Sequence, residues 1–161
     1  MKQMIILGID PGTATTGYGV IKRSKTLKCL GHGVIKTSPS SSMPERLKVL
    51  SNELGKLIKK HKPDILAVEN VYFFKNLKTA LPVSQAKGVI LLAAAQKNVK
   101  VRELTPLQVK MGITGYGRAE KKQIQKMVQI LLNLKGIPKP DDAADALAVA
   151  ICCGKTLDSL T

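Results

Sequence analysis

Met4 to Ile9 is an unbroken aliphatic run that stops at Asp10-Pro11-Gly12, the pattern of a strand buried on both faces and ended by a turn. Residues 17–22 and 28–37 continue with β-rich, partly alternating positions, and Ser24-Lys25-Thr26 between them suits a hairpin connection, so three antiparallel strands open the chain. A Ser/Pro stretch over 38–44 breaks the pattern. Apolar Leu47, Leu50, Leu54, Leu57 and Ile58 then recur at helical spacing and predict a surface helix over 45–60 with one buried stripe. Residues 64–68 read as a second buried strand, entered through Pro63 and ending at Glu69-Asn70. A helix over 82–96 follows, with proline near its first turn, and then a strand over 99–104. The alternation of strand and helix implies parallel strands joined by right-handed crossovers. A short helix over 105–112 leads into the glycine-rich stretch 112–117. An amphipathic helix over about 119–133 and a last helix over about 142–153 close the chain.

The expected class is therefore α/β, a mixed sheet of five strands with helices on both faces. At 161 residues the chain is of one-domain size, with the domain expected over 1–154 and a short tail over 155–161. An apolar fraction of 44% with only 3% aromatic residues describes an aliphatic core suited to helices packed on a sheet.

Charge adds a partner. Lysine and arginine number 26 against 11 acids, a formal +15, which points to a polyanion. Arginine occurs only at 23, 46, 102 and 118, so nearly all the excess is lysine, which meets phosphates as a point charge more than it reads bases. Cys29, Cys152 and Cys153 form neither a disulfide framework nor a zinc spacing and read as core residues in a reducing compartment. No signal peptide or membrane-spanning run is evident, which points to the cytoplasm and away from membranes.

With so few acids, their positions matter. Asp10 and Glu69 each close an aliphatic strand, and if those two strands lie side by side both carboxylates emerge at one edge. Asp142 and Asp145 share a helix face at i, i+3, with alanines that allow close approach to the sheet. Taken singly, Asp10 suits a turn, Glu69 a strand end and Asp142 a helix N-cap. Asp145 has no such role: it interrupts a run of Ala, Leu, Val and Ile, where a charge without a partner is costly. Acids clustered on a basic protein make electrostatic sense around a divalent cation, and oxygen-only ligands favour magnesium or manganese. Two ions roughly 4 Å apart can activate a water and stabilise the leaving oxygen of a phosphodiester. The expectation is a metal-dependent nuclease.

The segments Leu7-Gly8-Ile9-Asp10-Pro11-Gly12, Ala67-Val68-Glu69-Asn70-Val71, Ala119-Glu120-Lys121 and Asp142-Ala143-Ala144-Asp145-Ala146-Leu147 resemble, in order and spacing, the motifs of the RuvC family of bacterial Holliday-junction resolvases. The resemblance covers nearly the whole chain. It implies a ribonuclease-H-like fold, a homodimer with two active sites, magnesium as cofactor, and paired symmetric nicks in four-way DNA junctions that leave 5′-phosphate and 3′-hydroxyl ends. Coupling to the RuvA and RuvB branch-migration proteins is implied as well. By position, Asp10, Glu69, Asp142 and Asp145 match the family's catalytic acids and metal ligands. Some relatives carry histidine where Asp142 stands, and adjacent Asp141 reads as a capping or supporting residue.

Lys110 and Lys121 match family lysines that hold backbone phosphate. Arg118 and Lys122 flank Lys121 and extend the basic stretch, and Lys126 follows at helical spacing. Tyr72, Phe73 and Phe74 hold three of the five aromatic residues, just after Glu69 and before Lys75, where a ring could stack on a base or wedge into a junction. The family has phenylalanine at the position of Tyr72.

Two other classes share part of this pattern. Gly8 to Thr13 is similar to the first phosphate loop of actin and sugar-kinase-type ATP-binding proteins, which need a second lobe that 161 residues do not provide. A junction-binding module without catalysis would keep the basic surface but has no use for the four acids.

Overall fold

The computed structural model describes residues 2–70 and 77–157. Five strands form one sheet: β1 (Met4–Asp10), β2 (Thr15–Arg23), β3 (Leu27–Lys36), β4 (Ile65–Glu69) and β5 (Lys100–Leu104), in the order β3-β2-β1-β4-β5. β1 pairs antiparallel with β2, and β2 with β3, whereas β1–β4 and β4–β5 are parallel. The first and fourth strands are thus neighbours, as the strand-end argument required. Their pairing runs through Ile9 opposite Val68, so Asp10 and Glu69 leave the sheet side by side.

Two helices cover one face. Helix α1 (Met43–His61) begins in a capping box in which Ser42 and Glu45 satisfy each other's backbone N–H, and it buries Leu50, Leu54 and Ile58. Helix α2 (Leu77–Gln96) lies beside it, and together they cover Leu7, Ile9, Leu66 and Val68. The opposite face, carrying Ile6, Ile21, Ile65 and Ala67, is covered by α3 (Pro106–Thr114), α4 (Lys121–Leu131) and α5 (Asp141–Thr156). Because strand side chains alternate, Asp10 shares the face of Ile6 and Gly8, and Glu69 that of Ile65 and Ala67. Both carboxylates therefore point to the α5 side.

Helix α5 is the buried hub, with every residue from Ala146 through Cys153 buried. Its closeness to the sheet depends on glycine: a Cβ at Gly8 would fall 2.2 Å from the carbonyl oxygen of Ala146.

Element boundaries differ from the sequence expectation where local chemistry moves them. Helix α2 begins at Leu77, five residues before Pro82, which sits inside the helix. Within the described helix Pro82 lies in the second turn, where its missing N–H removes at most one intrahelical bond. Helix α3 runs through Thr114, two residues beyond its expected end, and stops at the left-handed Gly115, with φ of 72°; within it, Gly112 lets α3 approach α5, because a Cβ there would meet Cys152 Sγ at 2.6 Å. Helix α4 starts at Lys121, where the Glu120 N–H donates to Gln123 Oε1 at 2.8 Å and caps the first turn. Helix α5 starts at Asp141 and runs through Thr156, into the stretch read as a tail.

Candidate active site

At the C-terminal ends of β1 and β4, the first turn of α5 descends onto the sheet. One carboxylate oxygen each from Asp10, Asp142 and Asp145 lie within 4.8 Å of one another. Asp10 is followed by a tight turn, in which Thr16 Oγ1 donates to the Gly12 carbonyl at 2.9 Å. Asp142 and Asp145 are one turn apart on α5 and face the same side. Glu69 lies outside the group of three and lines an adjoining cavity of about 230 Å³ together with Asp145, Lys110, Lys121, Val109 and Ile124.

The neighbouring Asp141 is distinct from the cluster. It is the first residue of α5, after Pro140 at the N-cap, and makes no side-chain cap. Its carboxylate accepts from Gln125 Nε2 at 3.1 Å and lies 3.4 Å from Lys121 Nζ. Asp142, not Asp141, therefore joins Asp10 and Asp145.

The electrostatics are those of an uncompensated anionic site. Burial, reinforced by the negative fields of Glu69, Asp145 and Asp142, pushes Asp10 up to about 8, against the pull of Lys121. Burial and then Asp145 push Glu69 up to about 7, with Lys110 opposing. Burial also raises Asp145, although Lys121 Nζ at 3.5 Å pulls it back. For Lys121, burial favours the neutral amine, but Asp145 and Asp141 outweigh it and hold the ammonium above its usual range. The donors are all carboxylate oxygens, and their mutual repulsion is what a hard divalent cation relieves, so these residues fit one.

Lys110, from α3, and Lys121, from α4, both line the Glu69–Asp145 cavity. Arg118 is exposed in the turn before α4, and Lys122 lines a different cavity. Tyr72, Phe73, Phe74 and Lys75 lie outside the described residues. Sequence reasoning missed Lys87, whose ammonium donates to Asn70 Oδ1 at 2.5 Å and meets Glu103 Oε2 at 2.6 Å beside the end of β4. Nothing in its local sequence signals this, since its partners come from two other strand ends. Gly17, opposite Asp10 in the β1–β2 register, was missed as well, although its place in a β-rich run was a usable sign of close backbone approach.

A mixed five-stranded sheet with acids at the ends of its first and fourth strands, and two more on its last helix, defines the ribonuclease-H-like class of metal-dependent nucleases. The family described as crossover junction endodeoxyribonuclease RuvC matches residues 6–153, and the chain belongs to that family. The crossover junction endodeoxyribonuclease RuvC of Fusobacterium nucleatum is 55% identical over 149 residues, 92% of this chain and 78% of that protein. Its counterpart from Ruminiclostridium cellulolyticum is 54% identical over 154 residues, 95% of this chain and 93% of the other. The solved Thermus thermophilus RuvC structure superposes with a TM-score of 0.90 at 33% identity, covering 98% of each chain. The same protein in complex with Holliday junction substrate gives 0.88 at 31% identity, covering 97% of this chain and 96% of that one. Yeast mitochondrial Holliday junction resolvase Ydc2, at 15% identity and a TM-score of 0.69, covers 93% of this chain and 77% of its own and shares the fold.

Proposed function

We propose that the chain resolves four-way DNA junctions by paired, symmetric phosphodiester hydrolysis, with Asp10, Glu69, Asp142 and Asp145 as catalytic acids and metal ligands. The observation that carries this reading is the convergence of Asp10, Asp142 and Asp145 oxygens within 4.8 Å on a chain of net charge +15. Family membership supplies the substrate class, because the relatives are crossover junction endonucleases and the Thermus protein binds a Holliday junction.

Asp10, Glu69, Asp142 and Asp145 would hold a magnesium-type cation, which would relieve their repulsion and supply the Lewis acidity that activates a water and polarises the scissile phosphate. Four carboxylates are more than one magnesium ion usually takes from protein, which supports two ions per site, with manganese as a substitute. Asp10 anchors the set from the rigid end of β1, and Asp142 and Asp145 reach it from α5. Glu69 lines the adjoining cavity with Asp145 and lies outside the group of three. Lys110 and Lys121, which line the same cavity, hold the phosphate over the acids, and Lys121 also screens Asp145. Hydrolysis leaves a 5′-phosphate and a 3′-hydroxyl.

Paired nicks require two such sites, so a homodimer is part of the proposal, as are the partners RuvA and RuvB and the assignment of 1–154 as the nuclease domain. Tyr72, Phe73 and Lys75 are proposed to meet DNA beyond Glu69, and Arg118 and Lys122 to extend the phosphate track. No helix among the described residues is long and apolar enough to cross a membrane. A cytoplasmic setting is proposed on the basis of the free cysteines.

The test is incubation with a synthetic four-way junction in magnesium, or in EDTA. Wild type should cut only with metal. Asp10→Asn should bind the junction but leave it intact; cutting in EDTA, or by Asp10→Asn, would sink the assignment.

A further inference from the structure

Beyond the carboxylate cleft, on the other side of α4, lies a second cavity of about 500 Å³. Its described lining includes Thr114, Tyr116, Ala119, Lys122, Lys126 and Met127; two of these are lysines and none is acidic. Three observations bear on its occupant. The first is Tyr116, a large ring left 56% exposed. Its backbone is nonetheless tied down: the Tyr116 N–H donates to Thr114 Oγ1 at 3.1 Å, and that hydroxyl in turn donates to the Lys110 carbonyl at 2.8 Å, just after the left-handed Gly115. A solvent-facing ring on a fixed turn is a preformed platform, and little entropy is lost when something stacks on it.

The second is charge. Lys122 and Lys126 are one turn apart on α4 and line the same cavity, so they present two ammonium groups beside the ring. Lys126 Nζ is held by Gln129 Oε1 at 3.2 Å, which leaves it further protons to donate. The third is continuity. Ala119, 4% exposed, belongs to the walls of both cavities, and Lys121 in the active cleft is adjacent to Lys122 in the second. A strand held by Lys121 therefore has a second basic residue, Lys122, adjacent along α4.

We propose that this second cavity is a nucleotide subsite, in which an unstacked base of the cut strand lies on the Tyr116 ring and its phosphate is held by Lys122 and Lys126. The subsite rests on the chain acting on DNA junctions. An aromatic face is sequence-tolerant and suits bases splayed from a junction better than those stacked in duplex DNA.

The experiment uses the full chain with a four-way junction and a duplex of equal length, in calcium to prevent cutting. Tyr116→Ala should weaken junction binding about tenfold, with Tyr116→Phe close to wild type and duplex binding little changed. Lys122→Ala with Lys126→Ala should make the salt dependence shallower by roughly 1.4 in log–log slope. The chain has no tryptophan, so Tyr116→Trp places a single reporter at the site, and its fluorescence should be quenched on junction binding. Unchanged junction affinity in Tyr116→Ala together with unquenched Tyr116→Trp fluorescence would overturn the subsite. Wild-type cutting in magnesium is scored in parallel: wild type that cuts while the variants bind normally overturns the subsite alone, whereas wild type that cuts no junction overturns both.

Discussion

A Cβ at Gly17 would fall 2.0 Å from the main-chain oxygen of Asp142. Gly17 is also the residue paired with Asp10 across β1 and β2, so one missing side chain lets the first turn of α5 reach the sheet where Asp10 leaves it. The carboxylate cluster is built by close backbone packing as much as by the acids themselves.

Gly17→Ala must therefore displace the start of α5. Overpacking of this kind costs about 1–3 kcal/mol, and the shift separates Asp142 from Asp10. Nicking should fall at least about tenfold while the folded state persists, as measured by junction cutting alongside chemical denaturation. A wild-type rate would show that the first turn of α5 need not lie so close.

The raised acids make stability depend on pH in a definite direction. Asp10 at about 8 and Glu69 at about 7 keep protons in the folded state that the unfolded chain loses near pH 4. Between those limits the folded state binds more protons, so metal-free stability falls as pH rises from about 4 to 8. Thermal unfolding in EDTA should show this loss, on the order of a few kcal/mol at most, and Asp10→Asn should flatten it. Magnesium added at pH 8 should raise the wild-type melting temperature and leave Asp10→Asn nearly unmoved.

Lys121 lies 3.5 Å from Asp145 and Lys122 lines another cavity, so the two neighbours are predicted to separate in function. Lys121→Ala should slow cutting by about 10²-fold in single-turnover assays, because it removes a cation aimed at the reacting phosphate. Lys122→Ala should act mainly on affinity. Equal effects on rate would contradict the placement.

Lys87 ties Asn70 to Glu103 across the ends of β4 and β5, and its side chain is only 19% exposed. Lys87→Met keeps the aliphatic stem and removes the bonds, which should cost about 1–2 kcal/mol in urea unfolding. Because Asn70 follows Glu69 directly, the cutting rate should fall with it. Lys87→Arg should recover part of both.

Much of this arrangement was legible in the sequence, for physical reasons. Uninterrupted aliphatic runs marked β1 and β4, and the acids that closed them were identifiable because a buried strand tolerates charge only at its end. Asp145 stood out for a similar reason, as a charge inside an apolar helix face. Asp142 needed the structure, since either it or Asp141 could have faced the sheet, and the packing brings Asp142 to Asp10 and Asp145 while Asp141 meets Gln125 and Lys121. The helix start at Leu77 was hidden because Pro82 looked like a first-turn residue. Gly17 was signalled by its place in a β-rich run and overlooked, whereas Lys87 was hidden because its partners come from distant segments, which leave no local pattern.

The most direct test of the whole account is to map cuts on a four-way junction whose strands are labelled one at a time, in magnesium. Nicks are expected at matching positions in two opposing strands, with 5′-phosphate and 3′-hydroxyl ends that ligase reseals, and none with Asp10→Asn, Glu69→Gln or Asp145→Asn. Cuts at unrelated positions, gapped products that cannot be resealed, or full activity in those variants would contradict it.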